Sequence, residues 1–416
     1  MGHGHTGGTQ QLLGQPPVRH IMLFYNTDID REKYFIATYD MASSANLKEA
    51  AWALAIGQSV GNPSVRNRWE TDELFENHSC VIVGEKTKLE KQTQGLVKIA
   101  FPVVNTDWAT DGMAHMLCQL MGGHIDIDII TKCRLVGLDL PRTVTKHFLG
   151  PKFGLSGIRE FTGQHGKPLL GGIVKPKIGI TPTILLEMVK QMVDGGVDFI
   201  KEDEIMVNPV ICPLDERVEL IANYLAKQSR KIVFCHTINC DPHVLTDRVK
   251  RVHELGGNGV HINVFSGYGA YNSIRKLDLP LFLHYQSSGA KVTTDVNHRF
   301  SISWPVMCQL ATLMGVDTIQ TGMVGGYSND DPEEILKCLE ILRAGNTAPA
   351  LSCGFNPGLV QKVNGIAGID YLANAGGAIH GHPGGTVAGA RAMRQAVDKN
   401  HGIEYEQAIA KWGFTK

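Results

Sequence analysis

Residues 168–204 read PLLGGIVKPKIGITPTILLEMVKQMVDGGVDFIKEDE, and they decide the fold class because they hold one complete βαβ unit. The apolar run Leu169 to Pro176 is typical of a buried strand, and so is the run Asp198 to Glu204. Between them, Leu185, Met188 and Met192 recur at helical spacing and share one face. Strand, helix and strand in this order predict two parallel strands joined by a crossover helix.

The same unit recurs along the rest of the chain. Asp331 to Gly345 is a second predicted helix, with Asp331 as its cap and Pro332 in its first turn. Eight strands are predicted: Leu169 to Pro176, Asp198 to Glu204, Lys231 to Asn239, Gly259 to Phe265, Leu279 to Tyr285, Asp317 to Gly322, Ala348 to Gly354 and Asp370 to Ala378. Eight βα units predict an α/β fold with a closed (β/α)8 barrel, a TIM barrel, over residues 149–416.

The first third of the chain lacks this regular alternation of strands and helices. Strand-like runs (Ile21 to Tyr25, Cys80 to Val83, Leu96 to Val104) and helix-like runs (Leu47 to Ile56, Ala114 to Met121) follow one another without a regular order. A chain of 416 residues also exceeds the size of a single core. We therefore predict a flexible tail over residues 1–16, a smaller N-terminal α+β domain over residues 17–148, and a connection from Leu149 to Gly166.

Composition limits the class of partner. The 40 Lys and Arg residues balance the 41 Asp and Glu residues, so no net charge attracts nucleic acid or an anionic membrane. No uncharged apolar run approaches the roughly 18 residues that cross a bilayer, and the N-terminus lacks a secretory signal. Nine cysteines without a C-x-x-C pair argue against a disulfide framework or a zinc ribbon. These features predict a cytoplasmic protein and argue against nucleic acid or a membrane as its partner.

The second predicted strand carries the most informative side chains, because reactive groups of a barrel gather at the carboxyl ends of its strands. Strand alternation places Lys201 and Asp203 on one side and Glu202 on the other, with Glu204 at the strand end. Two carboxylates suit Mg²⁺, but the ammonium of Lys201 would repel it. Either Lys201 forms a salt bridge with the carboxylates or it is converted to an anion, and the charge pattern alone favours the salt bridge.

Three further strand ends carry groups that suit an anionic substrate. Lys175 and Lys177 share a face of the first strand, where two cations would stabilise a phosphate or a developing enolate. The glycine-rich segments Leu351 to Gly354 and Asn374 to Gly385 follow the last two strands, and their backbone N–H groups can approach a phosphate. Surface lysines at a loop and tight turns are the alternatives that these residues leave open.

Taken together, these segments resemble the RuBisCO large-chain family and, within it, the RuBisCO-like proteins. Gly171 to Gly179 is similar to the first-strand lysine motif of the family, Gly195 to Glu204 to its metal motif, and Asn374 to Arg391 to its phosphate loop. The resemblance implies that carbon dioxide carbamylates Lys201, giving N6-carboxylysine. The carbamate, Asp203 and Glu204 would then ligate Mg²⁺.

The resemblance implies roles for other residues as well. Lys175 and Lys177 would contact the reacting carbonyl or enolate, and the phosphate would be held by Ser352, Gly354, Gly376 and Gly377. The family also implies an obligate homodimer, or an assembly of dimers, in which the N-terminal domain of the partner completes each site.

The sequence departs from RuBisCO at positions that carboxylation needs. Gln286 and Ser287 stand where the family has a His-Arg pair, and Gln320 replaces a histidine. The segment Thr321 to Asp330 contains no lysine, whereas RuBisCO has one in this loop. The resemblance therefore implies a RuBisCO-like protein that does not fix carbon dioxide, with Gln286 as a substrate-binding residue and a bisphosphate as a poor substrate.

One further segment indicates a reaction type. Gly95 to Pro102 is similar to the methionine-salvage enolase of the family, in which the lysine at the position of Lys98 is the proposed base. A lysine base needs a lowered pKa, and an exposed strand lysine is the alternative. That enolase has no counterpart of Lys177, which favours a different substrate.

Three hypotheses follow from the sequence. The first is Mg²⁺-dependent enolisation of a phosphorylated keto-sugar or thio-sugar, such as methylthioribulose phosphate, with Lys98 or Lys175 moving the proton and isomerisation or tautomerisation as the result. The second is decarboxylation of a 3-oxo sugar acid, such as 3-oxo-isoapionate or its phosphate, through the same enolate. The third is a non-catalytic relative that keeps only the barrel.

Overall fold

The computed structural model describes residues 28–61, 67–328 and 330–414 and confirms the predicted barrel. Eight parallel strands close into a ring in which each strand pairs with its neighbours in chain order and the last pairs with the first. The strands are Leu169–Ile173, Phe199–Lys201, Val233–Thr237, Gly259–Asn263, Phe282–Gln286, Thr318–Gly322, Ala348–Leu351 and Leu372–Ala375. All eight lie within the predicted runs or extend past them by one residue.

Helices follow the barrel strands. Two of them, Pro182–Asp194 and Pro332–Ala344, confirm predictions, and the side chains of Thr181 and Asp331 cap them as N-cap acceptors. The other helices of this half are Gly154–Thr162, Leu214–Leu225, Pro242–Glu254, Tyr268–Lys276, Lys291–Thr294, Trp304–Leu313, Val360–Ala367, Gly377–His380, Gly385–Asp398 and Ile403–Trp412.

A separate mixed sheet forms the core of the N-terminal α+β domain. Its strand order is Phe300–Ile302, Ile130–Asp139, Tyr34–Ser43, Gln94–Pro102 and Val81–Val83. The first pair is parallel and the other pairs are antiparallel. The helices beside it are Leu47–Gly57, Asp72–His78, Lys86–Glu90, Gly112–Met121 and Arg142–Thr145. The strand-like run Ile21 to Tyr25 and the tail over residues 1–16 lie outside the described residues.

The predicted connection, Leu149 to Gly166, contains the helix Gly154–Thr162, which the sequence pattern did not indicate. Its apolar side chains cover the amino end of the barrel: the Phe153 and Phe161 rings lie 4.4 and 5.1 Å from the ring of Phe282. The buried carboxylate of Asp317 fixes the helix start, because its Oδ1 accepts hydrogen bonds from the N–H groups of Phe153 and Gly154. One end of the barrel is therefore closed by apolar packing.

All nine cysteines are free thiols, and six of them are buried. Among the helices in the described part of the chain, none is long and apolar enough to cross a membrane.

Candidate active site at the carboxyl end of the barrel

A cavity of about 730 Å³ opens at the carboxyl ends of the barrel strands, opposite the apolar end. The site residues that were predicted in the barrel lie together in this cavity. The cavity is lined by Lys175, Lys177, Lys201, Asp203, Glu204, Gln286, Ser352, Gly354, Gly376 and Gly377. Five strands of the barrel contribute to this set, so residues distant in sequence converge because the barrel closes.

The amine of Lys201 lies on the floor of the cavity, and the residue is 1% exposed. Its Nζ atom has one long contact, 3.4 Å from the carbonyl oxygen of Glu202. Burial lowers the pKa of this amine to about 8, although the negative charges of Glu204 and Asp203 act in the opposite direction. The site therefore holds a lysine with an unusually large neutral fraction, and a neutral amine is the form that reacts with carbon dioxide.

Asp203 forms its ion pairs with two lysines that follow the first strand. Its Oδ2 atom lies 2.8 Å from the Nζ of Lys175 and 3.7 Å from the Nζ of Lys177, while its Oδ1 is buried and has no hydrogen-bond partner. Burial alone would raise the pKa of this carboxyl, but the hydrogen bond from Lys175 and the charges of the three lysines outweigh it, and the pKa is lowered. The salt bridge that the charge pattern favours is thus made by Lys175 and not by Lys201.

Glu204 is held by an amide. Its Oε2 accepts a hydrogen bond of 2.8 Å from the Nε2 of Gln286, which also donates to the hydroxyl of Ser288 at 2.7 Å. The Oε1 of Gln286 is buried without a partner. Gln286, which is 2% exposed, thus links a predicted metal ligand to the wall of the cavity.

The neighbouring carboxylate, Glu202, points out of the barrel, and both of its oxygens have hydrogen-bond partners. The Nε of Arg217 lies 2.8 Å from its Oε1, and both His236 and the N–H of Thr237 bind it as well. Burial alone would raise the pKa of Glu202, but Arg217 and His236 lower it to about 2. Arg217 could not be identified from the sequence, because a single arginine in a helix resembles a surface residue.

Two uncharged histidines lie beside Lys201 inside the barrel. His261 and His284 are both fully buried, and their ring nitrogens have no hydrogen-bond partner. Burial, and secondarily the charge of Lys201, lowers the pKa of both rings well below its usual value. They therefore add no positive charge beneath the amine.

The glycine-rich segments form the side of the cavity next to Lys175. A Cβ atom built on Gly376 would lie 3.4 Å from the Cε of Lys175, so this backbone and that side chain are close neighbours. Gly354 has a φ of +95° and its backbone passes against that of Tyr327, which explains a glycine at this turn. His380 is a structural group, since its ring nitrogens contact Thr386 and the carbonyl of Ile173.

Lys98 is placed elsewhere. It lies on the strand Gln94–Pro102 of the N-terminal sheet, with an exposed side chain, and it is absent from the residues that line the cavity of its own chain. Sequence reasoning also missed lining residues, among them Tyr327 and Trp412. Trp412 lies in the last helix, far from every motif, and no signal in the sequence could have identified it.

In the part of the chain that the structure describes, no three His, Cys, Asp or Glu side chains form a group that could hold a metal ion. The cavity floor offers two carboxylates, Asp203 and Glu204, together with the amine of Lys201. Mg²⁺ prefers anionic oxygen ligands, so conversion of Lys201 to a carbamate would supply the third. The residues present fit a magnesium site only in that form.

Comparisons with known proteins identify the family. The family profile described as "Ribulose bisphosphate carboxylase large chain, catalytic domain" matches residues 154–350. The 2,3-diketo-5-methylthiopentyl-1-phosphate enolase of Exiguobacterium sibiricum is 30% identical over 411 residues, which cover 92% of this chain and 100% of that protein. The chain belongs to the RuBisCO large-chain family. The sequence-based prediction of a RuBisCO-like protein is thereby confirmed.

Other members of the family are similar over nearly their whole length. The ribulose bisphosphate carboxylase of Pyrococcus furiosus is 28% identical, with 93% of this RuBisCO-like chain and 96% of that protein covered. The crystal structure of the octameric RuBisCO of Pyrococcus horikoshii OT3 matches with a TM-score of 0.85 and 25% identity, over 94% of this chain and 97% of that one. The predicted fold, a barrel with a smaller N-terminal domain, is confirmed.

Proposed function

We propose that this RuBisCO-like chain is a magnesium-dependent enzyme that enolises a phosphorylated keto-sugar or thio-sugar, without fixing carbon dioxide. The observation that carries the proposal is the cavity floor, where the buried amine of Lys201 lies beside Asp203 and Glu204. The similarity to the Exiguobacterium enolase supports the same reaction type. Methylthioribulose phosphate is one substrate of this class.

The proposal assigns the metal to three ligands: the carbamate of Lys201, Asp203 and Glu204. The unpartnered Oδ1 of Asp203 and the lowered pKa of the Lys201 amine support this set. Magnesium, when bound, supplies positive charge beside the substrate carbonyl and so makes the neighbouring C–H more acidic. The Nζ of Lys175 now lies 2.8 Å from the Oδ2 of Asp203. If Asp203 bound the metal instead, Lys175 would be free to contact the substrate.

The chain's own side chains then bind and orient the substrate. Lys175 stands beside the glycine backbone at Gly376, and Lys177 lines the same cavity. A phosphate held at Gly376, Gly377, Ser352 and Gly354 would therefore have two cations in its cavity. The same lysines stabilise the negative charge that grows on the carbonyl oxygen during enolisation. Lys175 is a candidate to move the proton, since it already lies at the cavity floor.

The absence of carboxylation is supported by the other side of the cavity. The described lining residues there include Gln286, Gln320 and Tyr327, and the basic side chains among all described lining residues are Lys175, Lys177 and Lys201. A second phosphate therefore has no cation to meet. A substrate with one phosphate fits better than a bisphosphate.

The homodimer is part of the proposal. Exposed apolar side chains follow the second, fourth and fifth strands, at the end of the barrel where the cavity opens: Ile205, Val210, Ile211, Phe265, Val292 and Val296. A cluster of this kind is typical of a protein interface. A second copy that covers it with its N-terminal sheet would bring Lys98 to the cavity as a base.

Decarboxylation of a 3-oxo sugar acid is the second candidate, and Lys177 favours it. Its side chain is half-exposed, and its Nζ lies 3.7 Å from Asp203, too far for a hydrogen bond, so it can pair with a substrate carboxylate. Loss of carbon dioxide would leave the same enolate. Carbon dioxide released from 3-oxo-isoapionate phosphate would distinguish this reaction from isomerisation.

Solvent deuterium exchange tests the proposed function. We expect Mg²⁺-dependent incorporation of deuterium beside the carbonyl of a keto-sugar phosphate, its loss in Lys201→Ala, and its retention in Lys190→Ala, a lysine on an outer helix that pairs with Glu187. Absence of exchange with every sugar phosphate would contradict the proposal and favour a non-catalytic relative. Carbon dioxide fixation onto ribulose bisphosphate would contradict the claim that carboxylation is absent.

The role of Lys98 has its own test, in which two inactive variants complement each other. A Lys98→Met chain co-expressed with a Lys201→Met chain would form mixed dimers with one intact site each, and random pairing would restore about a quarter of the wild-type activity. No recovery from the mixture would place Lys98 outside the site.

A further inference from the structure

Two amide side chains form one wall of the cavity. Gln286 ends the fifth barrel strand and Gln320 lies in the sixth; they are 2% and 9% exposed. The side-chain oxygen of each is buried without a hydrogen-bond partner. Together with Ser288 they make up what we call the amide subsite.

The orientation of Gln286 follows from its neighbours. A carboxylate can only accept hydrogen bonds, so the NH₂ group must face Glu204, to which it donates at 2.8 Å. Its second proton goes to the Ser288 hydroxyl at 2.7 Å. Both protons are used, and no donor lies within hydrogen-bond distance of Oε1, with the buried ring of His284 as a weaker neighbour.

Gln320 presents a similar acceptor. Its Nε2 lies 3.7 Å from the sulfur of Cys353, a weak contact, and its Oε1 has no partner. Buried acceptors of this kind are costly unless a donor meets them. The two oxygens therefore indicate what kind of ligand completes this wall.

We propose that the amide subsite binds a hydroxyl-bearing, uncharged part of the substrate. Hydroxyl groups donate hydrogen bonds, whereas an ionised phosphate, a carboxylate and a thioether sulfur do not. The inference rests on the proposed function and deepens it: the substrate is a polyhydroxylated keto-sugar monophosphate, and a sugar whose end distal to the phosphate is a methylthio group fits less well. A buried polar site rejects an analogue that lacks the hydroxyl, because its acceptor is then unpaired.

Calorimetric binding in Mg²⁺ and bicarbonate tests the inference with two probes, ribulose 1-phosphate and its 5-deoxy analogue. We expect the wild type to bind the hydroxylated probe at least about tenfold more tightly. Gln320→Met, which keeps the length of the side chain and removes the acceptor, should bring the ratio close to one. Gln320→Glu, which keeps an acceptor oxygen, should retain a preference. Gln191→Met, on an outer helix where Gln191 contacts Glu187, is the matched control and should leave the ratio unchanged.

The outcomes separate this inference from the proposed function. Equal binding of both probes to the wild type overturns the inference alone, and this comparison does not depend on whether a variant folds. A wild-type preference that persists in full in Gln320→Met also overturns the role of Gln320. If neither probe binds while methylthioribulose 1-phosphate does, the inference fails and the enolase proposal stands. If no sugar phosphate binds, both fail.

Discussion

The two sides of the second barrel strand differ in how their charges are satisfied. On the outer side, Glu202 has each oxygen bonded, by Arg217, His236 and the N–H of Thr237. On the inner side, Lys201 has a single long contact and Asp203 has an oxygen without a partner. A saturated cluster has no capacity left to bind anything and therefore serves stability, whereas an unsaturated one can bind a ligand.

The largest expected effect is on the outer side. Glu202→Ala would leave the buried guanidinium of Arg217 without its counter-ion and should lower the free energy of unfolding by about 3–5 kcal/mol. Urea denaturation measures this loss. The matched control is Asp215→Ala, which removes an exposed partner of Arg251 and should cost less than about 1 kcal/mol. Similar losses in both variants would break the comparison.

The second effect concerns His380, whose hydrogen-bonding groups are satisfied like those of Glu202. Its two ring nitrogens contact Thr386 and the carbonyl of Ile173. Burial lowers the pKa of His380 to about 4 from an ordinary 6.5. The unfolded chain binds the proton more readily, so this contribution to stability is present above pH 6.5 and is lost as the pH falls towards 4, by up to about 3 kcal/mol.

Unfolding free energies measured across this pH range check the effect. The decline should be shallower in His380→Gln, which has no ring to protonate. His165→Gln, at an exposed position, should keep the wild-type decline. Parallel curves for the wild type and His380→Gln would contradict the structural assignment of His380.

The smallest effect is expected on the inner side. Lys201→Met replaces a buried amine with an apolar side chain of similar length and removes almost no hydrogen bond. Stability should change by less than about 1 kcal/mol, in either direction, while deuterium exchange is lost. A loss as large as that of Glu202→Ala would make Lys201 a structural residue.

Much of this arrangement could be predicted from the sequence. The period of strands and helices predicted all eight barrel strands, and alternation predicted which side of the second strand carries Lys201 and Asp203. Shorter elements could not be predicted: the strand Phe300–Ile302 has three residues and no periodicity, and it joins the N-terminal sheet only through tertiary contact.

Ion pairs and hydrogen bonds between different elements of the barrel also could not be predicted from the sequence. The ion pair of Asp203 with Lys175 joins residues 28 positions apart, and the charge pattern pointed to Lys201 because it is adjacent in the chain. Gln286 bonded to Glu204 and Arg217 bonded to Glu202 are of the same kind. Such pairs depend on strand register and helix packing, which local spacing does not determine.

The central claim is that Lys201, Asp203 and Glu204 form a magnesium site that carbon dioxide completes. Calorimetric titration of Mg²⁺ into the whole chain, in carbon dioxide-depleted buffer and again with bicarbonate, tests it most directly. We expect Mg²⁺ to bind with bicarbonate, to bind at least about tenfold more weakly without it, and not to bind to Lys201→Met. Equal Mg²⁺ affinity in both buffers, or unchanged binding in Lys201→Met, would contradict it.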